Sequence, residues 1–132
     1  MTTLADGQLV LIVEDNEKNM KLVRDILRHY GHETIEAASG LDGVRLAFER
    51  RPDLVLMDIQ LPDIDGIEAL RRIREVRELD AMPVVAVSAS VMPDDQQKIV
   101  TSGFDAFVTK PIHLKHFVDT VKRFLDGGEA RP

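Results

Sequence analysis

Cysteine is absent from this chain of 132 residues. That excludes disulfides, thiolate zinc sites and cysteine nucleophiles, and it fits a reducing compartment. The N-terminal Met1-Thr2-Thr3-Leu4-Ala5-Asp6-Gly7 lacks a basic segment followed by an apolar stretch, so no signal peptide is read there. No apolar run approaches the roughly 20 residues that span a bilayer, which excludes membrane insertion. Positive charge is in deficit: 17 Lys and Arg against 23 Asp and Glu leave a net charge of −6, which argues against a general nucleic-acid binder. A G-x-x-x-x-G-K run is missing, and with it a P-loop nucleotide site. No composition break, low-complexity stretch or internal repeat marks a second domain. The expectation is one cytoplasmic domain over residues 1–132, its core at about residues 8–126, with short tails at both ends.

Within that frame, four short apolar runs each end in a chemically useful group. Leu9-Val10-Leu11-Ile12-Val13 leads into Glu14-Asp15, and Leu54-Val55-Leu56-Met57 leads into Asp58. Val84-Val85-Ala86-Val87 leads into Ser88, and Ala106-Phe107-Val108 leads through Thr109 into Lys110-Pro111. Such runs, separated by helical patterns, read as buried strands of a parallel sheet. The more polar Glu33-Thr34-Ile35-Glu36-Ala37 alternates and reads as an edge strand.

The intervening segments read as helices. Asn16 is the N-cap of the first, with Met20, Val23, Ile26, Leu27 and Tyr30 on one face and Gly31 at its C-terminal stop. Ser39 with Asp42 resembles a capping box for the second, which runs through Arg50 before Pro52 forbids continuation. The third follows the turn Leu61 to Gly66 and carries Ile67, Leu70, Ile73 and Val76. The fourth starts at Met92-Pro93-Asp94-Asp95, is anchored by Ile99 and Val100, and ends at Gly103. The fifth carries Leu114, Phe117, Val118, Val121, Phe124 and Leu125, is stopped by Gly127-Gly128, and leaves residues 129–132 as a frayed tail. Five strand-helix units with right-handed crossovers predict an α/β fold of the flavodoxin-like (βα)5 class, a three-layer sandwich around a parallel five-stranded sheet of order 2-1-3-4-5.

Taken singly, Asp58 reads as a helix cap or turn former as well as a reactive group, and Glu14-Asp15 suits the start of the next helix. A parallel sheet, however, delivers all of them to one edge, where open α/β sheets place ligands. Three converging carboxylates repel one another by several kcal/mol at low effective dielectric unless positive charge sits among them. Lys110 supplies one charge and a divalent cation the rest. All-oxygen ligands with no nearby His or Cys favour Mg²⁺. Asp58 could then attack a phosphoryl donor and form an acyl phosphate, with Lys110 neutralising the phosphoryl oxygens and Ser88 donating a hydroxyl hydrogen bond.

Glu14-Asp15, the segment Met57-Asp58-Ile59-Gln60-Leu61-Pro62, Asp65-Gly66, Ser88-Ala89 and Lys110-Pro111 resemble, in order and spacing, the receiver domain of bacterial two-component response regulators. The resemblance runs from about Leu9 to Leu125. It implies that Asp58 accepts a phosphoryl group from a phosphohistidine on a sensor histidine kinase or phosphotransfer protein. It implies Mg²⁺ bound by Asp15, Asp58 and the Gln60 carbonyl, with Glu14 assisting through water. Lys110 and Ser88, with the backbone N–H groups of Ile59 and Ala89, would contact the phosphoryl oxygens. Ser88 and Phe107 fall at the family's switch positions, which remodel the face made by helix 4, strand 5 and helix 5. The family is not a set of ordinary enzymes, since each member catalyses its own phosphoryl transfer and dephosphorylation.

Two positions depart from the commonest family pattern: Ser88 stands for Thr, and Phe107 for Tyr. With no DNA-binding or enzymatic segment in view, output is expected through a downstream protein target, from a monomer or a phosphorylation-dependent dimer. The turns resemble the single-domain type of cell-cycle and polarity phosphorelays, and receivers of hybrid histidine kinases share them. Rival readings are weaker. A haloacid-dehalogenase-like phosphatase wants a second Asp where Gln60 stands, and a flavin carrier wants a Ser/Thr/Gly phosphate loop where Glu14-Asp15-Asn16 stands. A receiver-shaped module that binds constitutively is the other alternative. His29, His32, His113 and His116 read as surface histidines, and Asp94-Asp95 with Arg71, Arg72, Arg74 and Arg77 as solvated helix faces.

Overall fold

Five short strands pair in parallel, the central ones because their continuous apolar runs leave no polar face for water. In the computed structural model, which describes residues 8–89 and 92–125, they are β1 (Leu9–Val13), β2 (Glu33–Ala37), β3 (Leu54–Asp58), β4 (Val84–Ser88) and β5 (Ala106–Thr109). Their order is β2-β1-β3-β4-β5. Helices α1 (Glu17–His29), α2 (Gly40–Arg50), α3 (Gly66–Arg74), α4 (Pro93–Thr101) and α5 (Leu114–Leu125) form the crossovers, and a 3-10 turn (Arg77–Leu79) follows α3. No described helix is long and apolar enough to cross a membrane.

The two-residue repeat of the strands sorts the core into two layers. Leu11, Val13, Val55, Met57, Val84 and Ala86 pack with Ala47 of α2, Ala69, Leu70 and Ile73 of α3, and Ile99 of α4. Val10, Ile12, Leu54, Leu56, Val85, Val87 and Val108 pack with Met20, Val23 and Leu27 of α1 and with Phe117, Val121, Phe124 and Leu125 of α5. Both faces of β3 and β4 are therefore buried, and β2 lies at the edge that its mixed pattern predicts.

Helix starts follow their caps. Asn16, Ser39 and Asp65 accept the N–H groups of Asn19, Asp42 and Glu68. The Asp42 side chain, rather than completing a capping box, faces Arg45 at 3.5 Å. Gly31 takes φ +88° at the end of α1, as a C-terminal stop requires.

Several expected core positions are not core. Tyr30 lies past the end of α1 and is 45% exposed, while Val100 and Leu114 are 56% and 57% exposed. Helix α4 turns only Ile99 fully inward, so its apolar stripe is narrower than its sequence implies. Val76 is not in α3, which ends at Arg74; it precedes the 3-10 turn that buries Leu79, and packs half-buried against the same core layer. Arg74 is not a solvated side chain: it donates to the carbonyls of Leu79 (2.9 Å) and Met82 (2.8 Å) and reaches Asp105 at 3.2 Å. The Gly127-Gly128 stop and both tails lie outside the described residues.

One close approach is a constraint on sequence. A Cβ on Gly66 would lie 2.4 Å from the Asp58 carbonyl oxygen and 2.9 Å from the Ile59 Cα, both backbone atoms. Gly66→Ala is therefore expected to cost about 1–3 kcal/mol by overpacking. Urea denaturation checks this, and an unchanged midpoint would mean that the loop absorbs the methyl.

Candidate functional site at the carboxyl edge of the sheet

The strand ends assemble the site. Glu14 follows β1, held by its N–H donating to the Ala37 carbonyl at 3.0 Å, and Asp15 comes next on the surface. Asp58 is the last residue of β3, and its Oδ1 accepts the Gln60 N–H at 3.1 Å. Ser88 ends β4 and is buried; its carbonyl accepts the Lys110 N–H at 2.8 Å, which ties the segment after β5 to the end of β4. The Lys110-Pro111 bond is cis.

Lys110 bridges the two buried carboxylates. Its Nζ lies 3.1 Å from Asp58 Oδ2 and 3.1 Å from Glu14 Oε1. Glu14 and Asp58 are each only 4% exposed, so their charges face each other with little water between them. Burial, then the charge of Asp58, push the Glu14 carboxyl above its usual range, against the lowering by the Asn16 N–H and Lys110. Burial opposes the charge on Lys110, yet the Asp58 and Glu14 carboxylates outweigh it and raise the ammonium above its ordinary value. Removing one partner of a buried group of this kind typically costs about 3–5 kcal/mol, because the other charges stay behind.

Carboxylate oxygens of Glu14, Asp15 and Asp58 lie within 4.8 Å of one another. Among the described residues, three carboxylates against one ammonium leave the edge negative, and an all-oxygen donor set fits a hard divalent cation. A groove of about 670 Å³ opens beside Glu14 and Asp15, with Lys18, Lys21 and Arg24 along it.

The remaining expected site residues are placed less directly. Gln60 and Ala89 are exposed beside Asp58 and Ser88 respectively. The Ile59 N–H donates to the Val87 carbonyl at 3.2 Å, so this donor is already engaged. Phe107 is half-buried and packs against the core layer that includes Ile99. His113 and His116 are exposed and stand apart from the acidic group. The sequence marks Asp63 only as a turn former, but its carboxylate accepts the N–H groups of Gly40 (2.8 Å) and Leu41 (2.9 Å). No local pattern marks a contact across 22 residues; only the free acceptor in a loop beside a helix start could have hinted at it.

Residues 10–122 match the family model described as the response regulator receiver domain. A similar relative is the polar-differentiation response regulator DivK of Brucella ovis, 47% identical over 116 residues, covering 88% of this chain and 94% of that protein. Among solved structures, the receiver domain of a sensor histidine kinase from Pseudomonas aeruginosa, described with a magnesium ion coordinated in the active site cleft, is 31% identical with a TM-score of 0.85, covering 91% of this chain and 98% of that one. A CheY-like receiver domain protein from Methanospirillum hungatei superposes with a TM-score of 0.85 at 26% identity, covering 96% of this chain and 99% of that one.

The raised Glu14 carboxyl sets a sign for pH dependence. Between its unfolded value near 4.5 and its higher folded value, the folded protein holds the extra proton, so Glu14 costs stability as pH rises. In chelator, the stability of Glu14→Gln relative to the wild type is expected to rise with pH through that window. Denaturation at a series of pH values checks this; a pH-independent difference would show that burial and Asp58 do not raise Glu14.

Proposed function

This chain belongs to the response regulator receiver domains, and we propose that Asp58 is its phosphoryl acceptor. The observation that carries the reading is the Asp58 carboxylate, buried at a strand end, with Lys110 Nζ 3.1 Å from one oxygen and a cation-hungry acidic pair beside it. In the step assigned here, an Asp58 oxygen attacks the phosphorus of a phosphohistidine carried by a sensor histidine kinase or phosphotransfer protein. The new O–P bond forms as the P–N bond breaks, and the imidazole, already protonated on its other ring nitrogen, keeps the electron pair and leaves neutral. Hydrolysis by water later returns the carboxylate and inorganic phosphate.

Asp15, Asp58 and the Gln60 carbonyl would hold Mg²⁺, with Glu14 acting through water. The bound ion would supply charge neutralisation for the phosphoryl oxygens. Lys110 takes one of those oxygens by exchanging its contact with Asp58 Oδ2, and it stays in reach of Glu14. Ser88 supplies the hydroxyl, and Ala89 an exposed backbone segment next to it. Ile59 contributes its N–H only by sharing it with the Val87 carbonyl.

The output is a change in protein binding. Phe107 lines a cavity of about 530 Å³ with Ile99, Val100, Phe104 and His116, and Val100, Met92 and Leu114 expose apolar surface around α4 and α5. Ser88 and Phe107 are the switch residues that reshape this face for a downstream protein target, as a monomer or a phosphorylation-dependent dimer. Moving a population from 1:99 to 99:1 takes ~5.5 kcal/mol, and charge-assisted contacts to Lys110, Ser88 and the ion supply part of it.

Asp58→Asn should fold and take up no phosphoryl group from a small-molecule phosphodonor in Mg²⁺, as read by intact mass; uptake at the same level would sink the assignment. Lys110→Ala is expected to fold with lowered stability and to take up phosphoryl groups without changing backbone chemical shifts in α4 and α5. Wild-type shift changes in that variant would remove Lys110 from the switch.

A further inference from the structure

The loop between β3 and α3, residues 59–65, carries the proposed ion ligand Gln60 and positions the N–H that orients Asp58. Its ends are fixed locally: the Gly66 N–H donates to the Ile59 carbonyl at 2.8 Å, and Asp65 accepts the Glu68 N–H at 2.8 Å. Its middle is fixed from elsewhere. Asp63 Oδ1 accepts the Gly40 N–H at 2.8 Å and Oδ2 accepts the Leu41 N–H at 2.9 Å, the first two N–H groups of α2. The third belongs to Asp42 and goes to the Ser39 hydroxyl at 3.2 Å. The loop also packs directly on this helix end, since a Cβ on Gly40 would lie 2.6 Å from Ile64 Cγ1 and 2.8 Å from the Ile64 carbonyl oxygen.

Ser39 accepts only the Asp42 N–H, so the Asp63 carboxylate completes the cap of α2 and, by the same two bonds, ties the loop to it. A loop tied at both ends and at its middle cannot swing Gln60 away from the acidic edge. We propose that Asp63 is a positioning residue for the acceptor site: by binding two N–H groups of α2 it holds the Gln60 backbone, and through the Gln60 N–H the Asp58 carboxylate, in register for Mg²⁺. This rests on the reading of Asp58 as a Mg²⁺-dependent acceptor. The Leu41 N–H, opposed by burial and joined by the N–H groups of Gly40, Ile64 and Asp63 itself, holds the Asp63 carboxyl below its usual range, as expected for a carboxylate engaged by backbone donors.

Ser39→Ala is the discriminating control. It removes a side-chain acceptor from the same helix end and leaves the loop alone. Mg²⁺ alone is the probe, titrated by calorimetry into the wild type, Asp63→Ala, Asp63→Asn and Ser39→Ala, each checked for folding by circular dichroism. The expectation is a loss of affinity of roughly tenfold in Asp63→Ala, the low end for a group that orients a metal ligand. A smaller loss is expected in Asp63→Asn, which keeps one acceptor, and wild-type affinity in Ser39→Ala. Amide exchange should accelerate at Gly40, Leu41 and Gln60 in Asp63→Ala. Wild-type affinity in Asp63→Ala, or an equal loss in Ser39→Ala, overturns the positioning role while the acceptor reading stands. A wild-type protein that does not bind Mg²⁺ overturns the acceptor reading and the positioning role together.

Discussion

Two buried carboxylates share a few ångströms of protein only with a cation between them or a proton on one of them, and the rest of this site follows from how that repulsion is met. Glu14 and Asp58 sit at the ends of adjacent strands because β1 and β3 are neighbours in the sheet. The one ammonium between them comes from the far end of the sequence, after β5, and its backbone is tied to the end of β4. The sheet order is thus an electrostatic requirement as well as a packing result. An arrangement that placed the end of β5 elsewhere would leave an acidic pair with nothing to balance it. Even with Lys110 present the Glu14 carboxyl stays above its usual range, first because it is buried and second because the Asp58 charge faces it. A site left negative by its own residues is one that favours a divalent cation, and then an anion bound through it.

What the sequence made legible was what depends on periodicity. Strands buried on both faces have to be continuous apolar runs, and β1, β3 and β4 are. The acids, the hydroxyl and the lysine were legible for the same reason, since each closes such a run. Helix faces were less legible, because spacing says which residues share a side and not how far the neighbouring layer extends. Val100 has the right phase, but α4 turns only Ile99 fully inward, and Leu114 starts α5 beyond the edge of the core. Val76 continued the phase of α3 after the backbone had already turned.

The least legible features are those in which a charged side chain satisfies backbone groups far away in sequence. Arg74 looks like one member of an exposed basic group, yet it ties the carbonyls of Leu79 and Met82 and pairs with Asp105, which in turn accepts the Val84 N–H at 2.8 Å. Asp63 looks like a turn former and ties α2. Turn-forming and solvated readings are correct averages for these residue types, but both positions sit where a helix end or a connecting loop leaves backbone groups to be satisfied. That need is created by the tertiary fold, so nothing local announces it.

On the proposed reading, the same ion group explains how a chemical event at Asp58 is felt at a distance. Phosphorylation replaces a carboxylate by a group carrying about −1.5 to −2 charges, with its oxygens projecting beyond the strand end. Lys110 is then drawn between Glu14 and the new oxygens. Its main chain cannot follow freely, because its N–H is bonded to the Ser88 carbonyl. Any movement of Lys110 is therefore shared with the end of β4, and Ser88 is itself a residue whose hydroxyl gains by approaching the phosphoryl group. Phe107, three residues before Lys110 on β5, lies beside the cavity that α4 only partly covers. A phenyl ring there loses no hydrogen bond by moving inward, so its position is set by apolar burial alone. Replacing the family's more frequent Tyr by Phe thus removes the polar counterweight, and the strand-end charge has only packing to work against.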